Sequence, residues 1–191
     1  LELIFVRHGE AIHTLDPPES LDILHPYLTD KGILQAKDLR STLPLSSNDI
    51  VVISPLKRTL ETAMYWSDNT GCSLIANPMI APRIFPQASK TRTLSCDKLM
   101  SRNDIMKEFP DVKIQEEIPE NLWVEGINII SREEFFTVAD QFLHWCMMLE
   151  KSRIYLLSHD GTITSYRELI SGKKLSRKDF PEETDFFTLE I

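Results

Sequence analysis

The sequence predicts an α/β protein, a three-layer α/β/α sandwich with a mainly parallel central sheet. Three observations carry that expectation. The runs LELIFV at 1–6, IVVI at 50–53 and RIYLL at 153–157 are apolar with almost no polar alternation, the character of strands buried on both faces. Segments of helical period, with recognisable caps, alternate with them. Each run ends abruptly in polar residues, and open parallel sheets bind ligands at the carboxyl ends of their strands.

The elements follow in order. After the first strand, residues 11–28 hold Pro17, Pro18 and Pro26 and read as a loop. Thr29 is placed as an N-cap with Asp30 in the first turn, and the helix behind it reaches about Leu43, with Ala36, Leu39 and Leu43 near helical spacing. The second strand runs into Ser54-Pro55, read as an N-cap followed by proline at the first helical position, with a helix to about Ser67. Residues 73–76 suggest a short third strand. From Pro78 to about Asn128 the pattern breaks down: five of the eleven prolines fall here, and only short helices, as around 101–108, are expected. Ser131 to Glu134 forms the S-x-x-E of a capping box. The helix behind it aligns Phe135, Val138, Ala139, Phe142, Cys146 and Leu149. RIYLL ends in Ser158-His159-Asp160-Gly161, a helix follows to about Ile170, and FFTLEI is a last strand. No repeat or linker is visible, so 1–191 reads as one domain, with 78–128 an irregular insertion.

Bulk properties narrow the partners. The chain has 191 residues, 42% of them hydrophobic, enough for one real core. A formal net charge of -8 argues against nucleic acid and anionic membrane as partners. The apolar runs fall far short of a membrane span. Cys72, Cys96 and Cys146 are odd in number, widely spaced and without metal-ligand spacing, which suits a reducing, cytoplasmic setting. Leu1 in place of Met is read as a trimmed start, so any leader lies outside what the sequence shows. Nothing signals an oligomeric state.

If the three main strands are neighbours, Arg7, His8, Arg58 and His159 converge. A phosphoryl group suits that environment: guanidinium offers paired donors to its oxygens, and Gly9 permits a close backbone approach and a sharp turn. Singly, a histidine at a strand end or an arginine in a first helical turn is more often structural or solvated; the conjunction carries the reading. RHGE at 7–10, LTDKGILQAKDL at 28–39, SPLKRTLETA at 54–63 and LLSHDGT at 156–162 resemble, in order and approximate spacing, the signatures of the histidine phosphatase superfamily, the phosphoglycerate mutase-like and acid phosphatase-like group. The resemblance implies that His8 attacks phosphorus to form a phosphohistidine, with its other ring nitrogen donating to a carbonyl. It implies that Arg7, Arg58 and His159 hold the phosphoryl oxygens, and that neither metal nor other cofactor is required. Glu10 is expected to orient this shell or contact substrate, or else to be a loop acid. His13 is expected at the pocket mouth.

One departure stands out. The mutase-like branch carries a glutamate roughly 25 residues beyond the second arginine to protonate the leaving oxygen. Here that slot holds Pro82 or Arg83, and no carboxylate lies between Asn69 and Ser95. Asp160 can supply the proton, as the His-Asp pair of the acid phosphatase branch implies, provided it is protonated when the leaving group departs. Alternatively the donor is missing and good leaving groups are favoured, or Asp97 or a carboxylate of 104–125 folds back. Asp160 can also be a simple helix cap.

Residues 78–102 carry Arg83, Lys90, Arg92, Lys98 and Arg102 against Asp97, a local +4 in a chain of -8. A solvated loop explains such a contrast; so does recognition of a second anionic group on the substrate, with Arg83 and Arg92 as contacts. The resemblance implies that 78–128 is a cap over the active site, and Trp123 is expected in the core or under that cap. The functional expectation is therefore a metal-independent phosphomonoester hydrolase acting on a small anionic phosphorylated metabolite. The alternatives are a phosphoglycerate mutase-type phosphotransferase, disfavoured by the absent glutamate, and a weakly active phosphate-binding regulatory module.

Overall fold

The computed structural model of the chain describes residues 1–87 and 92–191. Six strands form one sheet: β1 (Glu2–Arg7), β2 (Ile50–Ile53), β3 (Ser73–Ala76), β4 (Lys113–Ile114), β5 (Arg153–Ser158) and β6 (Phe186–Glu190). Their order is β4-β3-β2-β5-β1-β6, parallel except for β6, which runs antiparallel along β1. The α/β sandwich read from the apolar runs is the fold observed. β4 was not anticipated; it is two residues long, within the segment where periodicity fails, and it lies against β3.

The helices are α1 (Asp30–Thr42), α2 (Lys57–Ser67), α3 (Arg102–Glu108), α4 (Glu120–Val124), α5 (Arg132–Met148) and α6 (Asp160–Ser171). Local chemistry explains several starts. The Thr29 and Ser101 side chains accept from the amides of Gly32 and Asp104. Ser131 and Glu134 close the capping box ahead of α5, and Gly172 ends α6 in the left-handed conformation at φ 66. One start differs from expectation. α2 begins at Lys57 rather than at Pro55, and Ser54 does not cap it; the Ser54 hydroxyl is bonded to His159 instead.

The sheet register separates two apolar faces. Ile4 pairs with Tyr155 and Phe5 with Leu156, so Tyr155 and Phe5 point to opposite sides. On one side Trp66 of α2 meets Tyr155 edge to face at 5.4 Å, and its indole donates to Leu43 O. On the other, Tyr166 of α6 gathers Phe5, Phe135 and Phe142 at 5.3 to 5.6 Å. Each helical layer therefore covers one face, the condition for an all-apolar parallel strand. Trp123 is buried in the core. No described helix is long and apolar enough to cross a membrane.

The same register positions the chemistry. Arg7 pairs with Ser158 and Ile53 with Leu157, so β1, β2 and β5 end at one level. The residues after each strand are thereby delivered to one place.

Candidate active site

His8, Arg58 and His159 meet at that edge, each less than 5% exposed. The His8 Nδ1–H donates to Gly9 O at 2.7 Å, and Arg58 Nε donates to His8 Nε2 at 3.2 Å. Together these bonds fix the tautomer, leaving the Nε2 lone pair on the side of the guanidinium. His159 is held in the opposite sense. Arg58 Nη2 donates to its Nδ1 at 3.3 Å, so Nε2 carries the hydrogen that Ser54 Oγ accepts at 2.7 Å. The two rings lie 5.1 Å apart, and His13 is 5.8 Å from His8.

Electrostatics keep the three imidazoles neutral. Burial, then the Arg58 charge, holds His8 well below the ordinary imidazole range, and the same causes act on His159. Burial with Arg58 and Arg7 brings His13 down to about 3. A neutral His8 has its lone pair available; a protonated one does not.

Arg58 is itself clamped. Its Nη1 donates to Cys96 O at 2.6 Å and its Nη2 to Asp97 Oδ1 at 2.9 Å. The turn at 95–97, inside the 78–128 segment, thus reaches the site. Asn128 Nδ2 lies 3.5 Å from Asp97 Oδ2. Arg7 Nη1 donates to Pro181 O at 2.7 Å, while its Nη2 is 3.4 Å from Asp160 and 3.8 Å from Glu183. Among the described residues five buried side-chain polar atoms have no hydrogen-bond partner, and three of them, Arg7 Nε, His13 Nδ1 and Asn128 Oδ1, belong to this cluster or its edge. Buried polar atoms are rarely left so, which fits a polar ligand here.

The other expected contacts are redistributed. Gly9 makes its close approach to α1 rather than to a ligand: its amide donates to Thr62 Oγ1 at 3.1 Å, and a Cβ on it would lie 2.6 Å from Gly32 O. Glu10 faces α1 as well, accepting from Thr29 Oγ1 at 2.8 Å and Lys31 Nζ at 2.9 Å, and those bonds lower its carboxyl below the usual range. His13 is buried beside His8, deeper than a pocket mouth. Asp160 opens α6, its Oδ1 accepting from the amide of the next residue, Gly161 N, at 2.6 Å.

Arg83 is the clearest correction. Its guanidinium turns inward, donating to Ile127 O at 2.9 Å and Ile130 O at 3.0 Å and lying 4.3 Å over the Phe135 ring. It lines a cavity of about 500 Å3 between α5 and α6, to which neither His8, Arg58 nor His159 contributes. The carbonyls that follow α4 occupy donors that the sequence reading assigned to an anion. Arg92 is exposed and Lys90 lies outside the described residues. Reading the sequence missed Ser54, Thr62 and Asn128, and held Asp97 only as one alternative. A usable signal existed for the last: Asp97 is the only carboxylate between Asp68 and Asp104. Among the described residues no group of three or more His, Cys, Asp or Glu is arranged to hold a metal ion.

Comparison with known proteins follows this geometry. The sequence profile of the histidine phosphatase superfamily (branch 1) matches residues 3–181. Phosphoglycerate mutase-like protein 1 of Arabidopsis thaliana is 25% identical over 192 residues, covering 83% of this chain and 68% of that protein. Among solved structures, the alpha-ribazole phosphatase of Shigella flexneri superposes with a TM-score of 0.62 at 21% identity, over 100% of this chain and 91% of that one. A phosphoserine phosphatase of Entamoeba histolytica, in complex with phosphoserine, gives 0.60 at 21% identity, over 98% and 89%. These structural likenesses establish the fold. The profile, which runs from the first strand past the second histidine-bearing strand end, establishes more: this chain belongs to the histidine phosphatase superfamily, branch 1, a family of phosphatase- and mutase-type enzymes.

Proposed function

We propose that the protein is a metal-independent phosphomonoester hydrolase that works through a phosphohistidine on His8, with a small anionic phosphorylated metabolite as substrate. The observation that carries this reading is the His8 ring: Nδ1–H on Gly9 O and Nε2 against the Arg58 Nε–H. That arrangement holds a neutral nucleophile at the cation that would bind its target.

A phosphoryl group entering the cluster takes donors from Arg58 and from the partnerless Arg7 Nε. Its charge also draws a proton onto His159, whose Nδ1 then donates while Nε2–H stays on Ser54. The His8 Nε2 lone pair forms the P–N bond as the bond to the leaving oxygen breaks. Water then attacks phosphorus, the P–N bond breaks, and His8 returns to its neutral tautomer. The guanidinium and imidazolium groups carry the charge that gathers on the equatorial oxygens. The 95–97 turn closes on this chamber through Arg58. Asp160 and Pro181 orient Arg7 from the other side.

The test is phosphate release from p-nitrophenyl phosphate in EDTA by wild type and His8→Ala. Turnover in wild type, vanadate inhibition, and a loss of at least about 10^3-fold in the variant support the reading. Interconversion of phosphoglycerates without net phosphate release would favour the mutase. Phosphate binding with no turnover would favour the regulatory module.

A further inference from the structure

We infer that Asp97, delivered by the 95–97 turn, is the proton donor to the leaving oxygen, occupying by position the role that the usual glutamate slot leaves empty. The inference rests on the phosphatase reading above.

The placement follows from the Arg58 fork. Its Nε touches the attacking nitrogen of His8, while its Nη2 touches Asp97 Oδ1. One planar cation therefore connects nucleophile and carboxylate. A phosphoryl group held by that cation has the attacking nitrogen at Nε and the carboxylate, beside His159, at Nη2, so nucleophile and carboxylate border one anion site.

The competing carboxylate is differently occupied. Asp160 has one oxygen on the amide of Gly161 at 2.6 Å and the other towards Arg7 Nη2 at 3.4 Å. Its two oxygens are thus taken by a backbone amide and an arginine. Asp97 has one strong bond, to Arg58, and its second oxygen meets only the Asn128 amide at 3.5 Å. Its side chain is 20% exposed, so solvent can supply a proton. When phosphate enters, its oxygens compete for the Arg58 Nη2 hydrogens, which frees the Asp97 side chain to turn towards the leaving oxygen.

The proton balance closes. In the first step the P–N bond forms, the P–O bond breaks, and the Asp97 carboxyl proton passes to the departing oxygen. In the second, the Asp97 carboxylate accepts a proton from water as that oxygen bonds to phosphorus and the P–N bond breaks. Asp97 ends protonated, as it began.

An acid matters in proportion to the basicity of the leaving oxygen. Wild type, Asp97→Asn and Asp160→Asn are therefore compared on an alkyl phosphate and on p-nitrophenyl phosphate. Asp97→Asn is expected to lose about 10^2- to 10^4-fold in kcat/KM on the alkyl phosphate and less than tenfold on the aryl one. Asp160→Asn is expected to affect both alike. Equal losses on both substrates for Asp97→Asn would mean that Asp97 only clamps Arg58, and would overturn the assignment. A selective alkyl loss in Asp160→Asn would transfer the role there. If Asp97→Asn does not fold, Asp97→Glu carries the test: retained alkyl turnover supports a carboxyl donor, and parallel loss on both substrates overturns it. Wild type that releases phosphate from aryl but not alkyl phosphates would overturn this inference while leaving the phosphatase reading standing. Wild type inert towards both would overturn the two together.

Discussion

Arg83 shows how a buried guanidinium is tolerated. Burial pulls its pKa down to about 10, yet two carbonyls, the Gln87 side chain and the Phe135 ring face it. Truncating it removes the guanidinium donor of Ile127 O and leaves Ile130 O only the Gln87 side-chain amide. Each lost charged hydrogen bond costs about 1.5–3 kcal/mol. Arg83→Ala is therefore expected to destabilise by about 2–4 kcal/mol, lowering Tm by roughly 5–15 °C at this chain length. Its KM for a doubly charged substrate should match wild type; calorimetry with steady-state kinetics reads both. A raised KM with unchanged Tm would restore the anion-contact expectation. Lysine is a poor substitute, because one ammonium cannot serve two carbonyls and stack on a ring.

At the scale of elements, the His8 loop is held by α1 rather than by its own stiffness. A Cβ on Gly32 would lie 2.0 Å from Glu10 O, and one on Gly9 would lie 2.6 Å from Gly32 O. Both obstacles are backbone, so neither can rotate away. Thr29 N and Gln35 Oε1 complete the seam through Glu10 O and Glu10 N. Gly32→Ala should push α1 away from the loop and cost about 1–3 kcal/mol or more. It should also lower kcat, because the carbonyl of Gly9 that fixes the His8 tautomer moves with the loop. Unfolding curves and p-nitrophenyl phosphate kinetics check the two effects; a variant indistinguishable from wild type in both would remove α1 from the account. This seam also marks what the sequence made legible. The strands and the histidines and arginines at their ends follow from apolar runs that stop, and β1, β2 and β5 lie where those runs predict. The function of Gly9 and Glu10 was not legible, because a glycine that meets a helix and one that meets a phosphate have the same neighbours in sequence. Nor was β4, whose two residues carry no period. Asp97 and Asn128 reach the site across 39 and 70 residues from Arg58 through an irregular path, which no local pattern encodes.

Across the whole molecule, the site joins pieces that would otherwise separate. His8 follows β1, Arg58 sits in the first turn of α2 beyond β2, and His159 follows β5. The 95–97 turn is attached through Arg58. The chain is net negative at -8, yet this edge packs two buried or half-buried arginines, paired with Asp97, Asp160 and Glu183, around neutral imidazoles. An anion that binds these arginines cross-links three strand ends in the folded state alone. Inorganic phosphate at 100 times its Kd should therefore stabilise the fold by about 2.7 kcal/mol. At roughly 2–4 °C per kcal/mol for a chain of this size, Tm should rise by about 5–10 °C. Sodium chloride at matched ionic strength controls for salt. Arg58→Ala should abolish the shift, because it removes the donor common to His8, His159 and Asp97. Arg83→Ala, whose guanidinium faces the interior, should keep the full shift from its lower starting Tm. A shift that survives in Arg58→Ala would place the bound anion elsewhere and separate phosphate binding from the histidine cluster.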